Sequence, residues 1–380
     1  MIRRIYNTVF IIIFMIMLFL PFILSDKTIS VSQDENRMLA SDTQLFINGR
    51  INEKFASDYE SWFRDHMGLR RELINTNVKI LYNSFNKFVS RDWYLGKSGD
   101  IIYAPKGLLL DYQHLNLRTD MEVDRIGQSY QKISDWLEDQ NIQFYYVQCY
   151  DKHSIYPEQM MDTIPQYGEI SKTDQVIGYL KEKTTVNVIS LKDILLLSKE
   201  SYEVYSNFGD ATHWTQRGAF IGYQYIMEQI NMRNSNKYHI LQEDEYDISI
   251  EDLGSWINCL HFPENLESFS IHSSQARLGD ISFLGTYSED NRHRCWENNT
   301  IDNDTRLLIM GDSYINTFII EDFAESFNRT CMVWNAYTTD LEEIIDLYKP
   351  DIVIFECAER VDSSNAVCNL ADKLDAAKSG

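Results

Sequence analysis

The sequence predicts an α/β fold: a mostly parallel sheet with helices on both faces. Three observations predict it. Short apolar runs recur from residue 120 onward, at Phe144–Val147, Val186–Ile189, Arg306–Met310, Met332–Trp334 and Ile352–Phe355. Segments with apolar residues at helical spacing separate them, over 121–137, 173–183, 216–230, around 318–327, and over 341–348. The composition is that of a packed globular chain, 44% hydrophobic and 24% charged over 380 residues, which excludes global disorder. Apolar strands alternating with helices form parallel sheets covered on both faces.

The chain opens with Arg3 and Arg4, followed by Ile5 to Leu24 without a charged side chain. A run of about 20 apolar residues spans the hydrocarbon core of a bilayer. It ends Pro21-Phe22-Ile23-Leu24-Ser25-Asp26, without the small-residue pattern of a cleavage site, so it reads as a retained anchor rather than a cleaved signal peptide. Basic residues before the span place the rest on the extracytoplasmic side. Residues 43–62 and 69–88 carry apolar residues near helical spacing. Trp93–Gly96 and Ile101–Tyr103 then read as a short hairpin around Lys97-Ser98-Gly99-Asp100. Residues 236–303 are richer in short β-like runs. The expected organisation is an anchor at 1–25, a helical tether and hairpin region at 26–118, an α/β domain at 119–365 with the β-rich insertion 236–303, and a tail at 366–380.

Lys+Arg number 35 against 57 Asp+Glu, a net charge of −22. Phosphate backbones attract clustered cations, so nucleic acid is excluded as a general partner. Six cysteines (149, 259, 295, 331, 357 and 368) show no C-x-x-C pair. Cys149, Cys331 and Cys357 lie in apolar runs and read as buried thiols. Cys259 with Cys295, or Cys357 with Cys368, are the pairs considered. Neither H-x-x-x-H nor a Gly-rich phosphate loop is present, so no metal and no cofactor is expected.

Parallel sheets bind ligands beyond the carboxyl ends of their strands. After Met310 stands Gly311-Asp312-Ser313-Tyr314, which presents a serine between strand and helix. Either Asp312 or Ser313 also suits a helix cap. A serine nucleophile needs a base, and Asp210-Ala211-Thr212-His213-Trp214 supplies one, with Thr215 as cap of the next helix. An Asp can hold one nitrogen of the imidazole and leave the other for the serine proton. Ser313, His213 and Asp210 are therefore the expected catalytic triad.

These motifs resemble the SGNH-hydrolase-like polysaccharide O-acetyltransferases of the AlgJ/AlgX type and the related DHHW proteins. In that type, as here, the histidine block precedes the serine. Further matches are Glu35-Asn36-Arg37, the Leu95–Asp100 turn, Asp151-Lys152-His153-Ser154-Ile155-Tyr156-Pro157-Glu158, and the closing Pro350–Arg360 segment with Glu356, Glu359 and Arg360. The family pattern is usually D-x-H-W, whereas Asp210 lies three places before His213.

The resemblance implies an SGNH-like sheet and an O-acetyltransferase acting on a polysaccharide. It also implies an acetyl donor delivered by a membrane-bound O-acyltransferase partner. Asp151 and Lys152 are expected to face the cleft, or to form a surface ion pair. Glu356 and Arg360 would fix the loop or meet a sugar, and Trp214 and Tyr337 would stack on sugar rings or pack half-buried. A carbohydrate esterase with the same triad is the alternative, and a non-catalytic scaffold of a polysaccharide complex the second alternative.

Overall fold

The computed structural model describes residues 2–28, 30–32, 37–235, 237–334 and 340–378. The chain divides into two compact units, one comprising 1–89 with 258–260, the other 90–257 with 261–380. Tyr337, Glu35 and Asn36 lie outside the described residues.

In the first unit, the helix Ile2–Ile23 is long and apolar enough to cross a membrane. The helices Phe55–His66 and Arg70–Phe85 follow. Helical spacing over 43–62 misleads in its first half. Phe46–Ile47 and Arg50–Ile51 pair antiparallel around Asn48 and Gly49, both at positive φ, a backbone that Asn and Gly adopt most readily.

The second unit is built on a seven-stranded sheet. Its strands are β1 (Gln143–Cys149), β2 (Asn187–Ser190), β3 (Arg277–Leu278), β4 (Arg294–Glu297), β5 (Arg306–Gly311), β6 (Arg329–Trp334) and β7 (Ile352–Ala358). Their order across the sheet is β3-β4-β6-β5-β7-β1-β2. The five strands from β6 to β2 are parallel, while β4 runs antiparallel to β6 and β3 to β4. The last two strands of the insertion therefore extend the main sheet.

Side chains alternate between two cores. Tyr145, Val147, Leu307, Ile309 and Ile354 pack on one face. Phe144, Tyr146, Leu308, Met310, Val353 and Phe355 pack on the other. Burial on both faces is why these strands read as unbroken apolar runs.

The helices named below are α1 (Asp120–Glu138), α2 (Lys172–Lys183), α3 (Gln216–Arg233), α4 (Ser313–Phe318), α5 (Ile320–Ala324) and α6 (Leu341–Tyr348). Thr119 with Glu122, and Ser171 with Asp174, form capping boxes that start α1 and α2. Thr215 caps α3 by accepting from the Gly218 N–H. The helix expected around 318–327 instead starts at Ser313 and breaks at Ile319 between α4 and α5.

A disulfide joins Cys295 to Cys331. This corrects both expected pairings and the reading of Cys331 as a free thiol. The two residues are direct cross-strand partners of β4 and β6, a neighbourhood that sequence spacing does not reveal. Cys149, Cys259, Cys357 and Cys368 form no disulfide among the described residues.

Candidate active site

The site lies at the carboxyl ends of β1, β5 and β7. β5 ends in Gly311, where a Cβ would stand 2.6 Å from Glu356 Oε2. A glycine is needed because Glu356 of β7 passes directly beneath and accepts from the Asp312 N–H at 2.8 Å. Asp312 caps α4, with Oδ1 accepting from the Tyr314 N–H at 3.0 Å and Oδ2 from the Ala358 N–H at 2.8 Å. The Gly-Asp-Ser turn is thus stapled to the neighbouring strand, and Asp312 serves as a cap as well as a brace. Burial pushes Asp312 above the usual carboxylate range. Burial, and then the charge of Asp312, push Glu356 well above it.

Ser313 opens α4, and its Oγ lies 2.7 Å from His213 Nε2. His213 Nδ1 lies 2.7 Å from Asp210 Oδ2. Asp210 Oδ1 accepts from the Thr212 N–H at 2.8 Å and from its hydroxyl. Burial raises the Asp210 carboxyl, but its bond to His213, the imidazole's charge and Thr212 outweigh that and bring it down to about 2. The imidazole ring packs against Tyr314 and Phe318, with centroids 5.2 and 5.5 Å away. Serine, imidazole and carboxylate stand in one hydrogen-bonded line.

The loop carrying Asp210 and His213 is clamped by Glu264, a residue of the insertion that the sequence did not single out. Its carboxylate accepts from the N–H groups of Asn207, Phe208 and Gly209 at 2.8, 2.8 and 2.7 Å, and from the Ser206 hydroxyl. Gly209 has no room for a Cβ, which would meet Ser206 Oγ at 2.5 Å and Leu253 O at 2.7 Å. No local pattern around Glu264 signals this role, because the contact joins segments more than fifty residues apart.

Arg360, just past β7, reaches back toward the histidine. Its Nη2 lies 3.1 Å from His213 Nε2, and Nη1 donates to Asp151 Oδ1 and to the Thr212 carbonyl. Asp151 is buried and also accepts from the Tyr314 hydroxyl at 3.1 Å. Asp151 therefore holds Arg360 and is no surface ion pair.

Lys152 is no surface ion pair. It is buried, donates to the Ile101 carbonyl at 3.0 Å, and lies 3.9 Å from Asp100. Burial lowers its pKa to about 8. This corrects the expectation of a surface ion pair for Lys152. Trp214 is 1% exposed, packed on Tyr314 at 5.1 Å, and has no free face for a sugar. Glu356, buried beneath Gly311, meets no sugar either.

No protein-family model and no curated protein matches the sequence. Solved structures do match. PatB1 of Bacillus cereus carrying a sulfonyl adduct superimposes with a TM-score of 0.53 at 19% identity, over 69% of this chain and 92% of that one. A second PatB1 structure gives 0.51 at 18%, over 74% and 96%. The O-acetyltransferase domain of Pseudomonas putida AlgJ gives 0.44 at 15%, over 74% and 99%. At these identities the likeness to PatB1 is one of fold. The second unit has the α/β architecture that the sequence predicts, a mostly parallel sheet flanked by helices.

Proposed function

We propose that this chain is an extracytoplasmic, membrane-anchored O-acyltransferase, O-acetyl by preference, that modifies a cell-surface or secreted polysaccharide through an acyl-serine. The observation that carries this reading is the line Ser313 Oγ to His213 Nε2 to Asp210, with both links at 2.7 Å, at the carboxyl edge of the sheet. The polysaccharide and the acetyl group rest on the motif resemblance. The apolar helix Arg4–Ile23 supports the anchor. The Cys295–Cys331 disulfide supports an oxidising compartment.

In this mechanism Ser313 Oγ attacks the acyl carbonyl as its proton passes to His213 Nε2. The tetrahedral adduct collapses, the leaving group takes the proton from His213, and Ser313 keeps the acyl group. A sugar hydroxyl then attacks the acyl carbon while giving its proton to His213. Collapse returns that proton to Ser313 and releases the O-acyl sugar. Asp210 accepts from Nδ1–H, fixes the tautomer, and stabilises the imidazolium. The Ser313 N–H is the candidate donor to the oxyanion. The acyl group would arrive from a membrane-bound O-acyltransferase partner.

A carbohydrate esterase uses the same residues with water in the second step. The half-exposed Asp210 carboxylate, which leaves the proposed triad open to solvent, supports that second reading. Supplying the full-length chain with an activated acetyl ester and candidate oligosaccharides separates the two. Acetylated sugar that depends on Ser313 supports the transferase, and serine-dependent acetate release with every acceptor tried contradicts it.

A further inference from the structure

We propose that Asp151, His153 and Glu359 form a buried divalent-cation site, of zinc type by its ligand chemistry, behind the triad. The proposal is independent of the reaction assigned above. Asp151 follows β1, His153 lies in the short helix Lys152–Ile155, and Glu359 directly follows β7. All three are buried, at 4%, 4% and 3% exposure. One ligand atom from each lies within 4.8 Å of the others.

Two of these atoms lack hydrogen-bond partners. Asp151 Oδ2 and His153 Nε2 are both shut off from solvent and unpaired. Buried polar atoms without partners are costly, so each one asks for a ligand. His153 Nε2 stands 3.8 Å from Glu359 Oε2, too far for a hydrogen bond. That separation suits two ligands of one ion, since Zn–N and Zn–O bonds are about 2.0–2.2 Å.

The surroundings fit the same reading. Glu359 Oε2 accepts from the Asp151 N–H at 3.0 Å and Oε1 from the Ser154 hydroxyl at 2.9 Å, outer contacts of the kind that orient metal-bound carboxylates. Arg360 offsets only the Oδ1 side of Asp151. Lys172 and Lys192 are committed to Asp111 and Asp174. Two carboxylates and an imidazole thus share a closed space that a divalent ion would neutralise. An imidazole nitrogen with carboxylate oxygens is a zinc-type donor set.

The site is structural. Asp151 gives Oδ2 to the ion and Oδ1 to Arg360, whose other nitrogen meets His213, so the ion would tie β1 to β7 and set the guanidinium beside the histidine.

The test uses the full-length chain, stripped with chelator, exposed to Zn2+ or Co2+, and desalted. The expected result is one zinc per chain by plasma mass spectrometry, a higher melting temperature with Zn2+, and visible absorption bands with Co2+. Ser313→Ala keeps all three, whereas His153→Gln and Glu359→Gln lose them. Wild-type chain that binds no metal, gains no stability and shows no cobalt bands overturns the proposal, whether or not the variants fold. Full zinc content retained in a folded His153→Gln variant also overturns it.

Discussion

His213 Nε2 is approached from two sides, by Ser313 Oγ at 2.7 Å and by Arg360 Nη2 at 3.1 Å. Both groups are donors, and a neutral imidazole offers them one lone pair at that nitrogen. Arg360 therefore favours the tautomer with the proton on Nδ1, facing Asp210. Arg360→Gln removes the guanidinium that holds this arrangement. Its kcat is expected to fall, with Arg360→Lys restoring it in part. An unchanged kcat in Arg360→Gln would reduce Arg360 to a loop fastener.

Asp210→Asn leaves the line of hydrogen bonds but removes the carboxylate that receives Nδ1–H. The expected loss in kcat is roughly 10²–10⁴-fold, the span of positioned acid–base catalysis. Because the folded carboxyl titrates at about 2, its stabilising contribution is present above the unfolded value near 3.8 and is lost as pH falls through about 2. An acid limb of activity well above pH 4 would still be present in the wild type and would belong to another group. Steady-state kinetics across pH check both statements.

Glu264→Ala removes the acceptor shared by three successive backbone N–H groups. The loop that aims His213 then loses its clamp. Misplacement by about 1 Å costs on the order of 10²-fold. The fall is expected in kcat, with the melting temperature of the domain changed far less, and Glu264→Gln should recover part of the rate.

Asp322 is buried and accepts from the Tyr246 hydroxyl at 2.9 Å. Burial pushes it up to about 7 from 3.8. An acid raised by folding stabilises the fold while protonated, so this contribution declines as pH rises from about 4 and is gone above about 7. Asp322→Asn keeps an acceptor for Tyr246 and cannot ionise. Its melting temperature is expected to exceed wild type at about pH 8 and to approach it at about pH 5.

Reduction of the Cys295–Cys331 disulfide, or Ala at both positions, is expected to lower stability by roughly 2–4 kcal/mol. Denaturant unfolding with and without reductant measures it.

What the sequence discloses follows from how local each feature is. β1, β5 and β7 are legible because burial on both faces leaves continuous apolar runs, and the cap at Thr215 because it sits one turn from its partner. α6 is read from Leu341 to Tyr348 by its amphipathic period, and the structure adds the cap at Asp340. The proximity of Ser313, His213 and Asp210 is legible because parallel sheets gather chemistry at one edge. Phe46 and Ile51 are misread because their spacing suits both a helix and the hairpin that Asn48-Gly49 turns. Trp214 and Lys152 are misread because a residue type beside a motif does not state which way the chain buries it. Glu264 and the Cys295–Cys331 pair depend on contacts between distant segments, which periodicity does not encode.

The central claim is the acyl-serine, and intact-mass measurement of the full-length chain tests it most directly. The chain would be mixed with an activated acetyl ester, quenched in acid, and peptide-mapped. The account predicts one acetyl group on Ser313, absent from Ser313→Ala and strongly reduced in His213→Ala. Acetyl transfer or hydrolysis that continues at full rate in Ser313→Ala, with no acyl group on the wild-type serine, would contradict it.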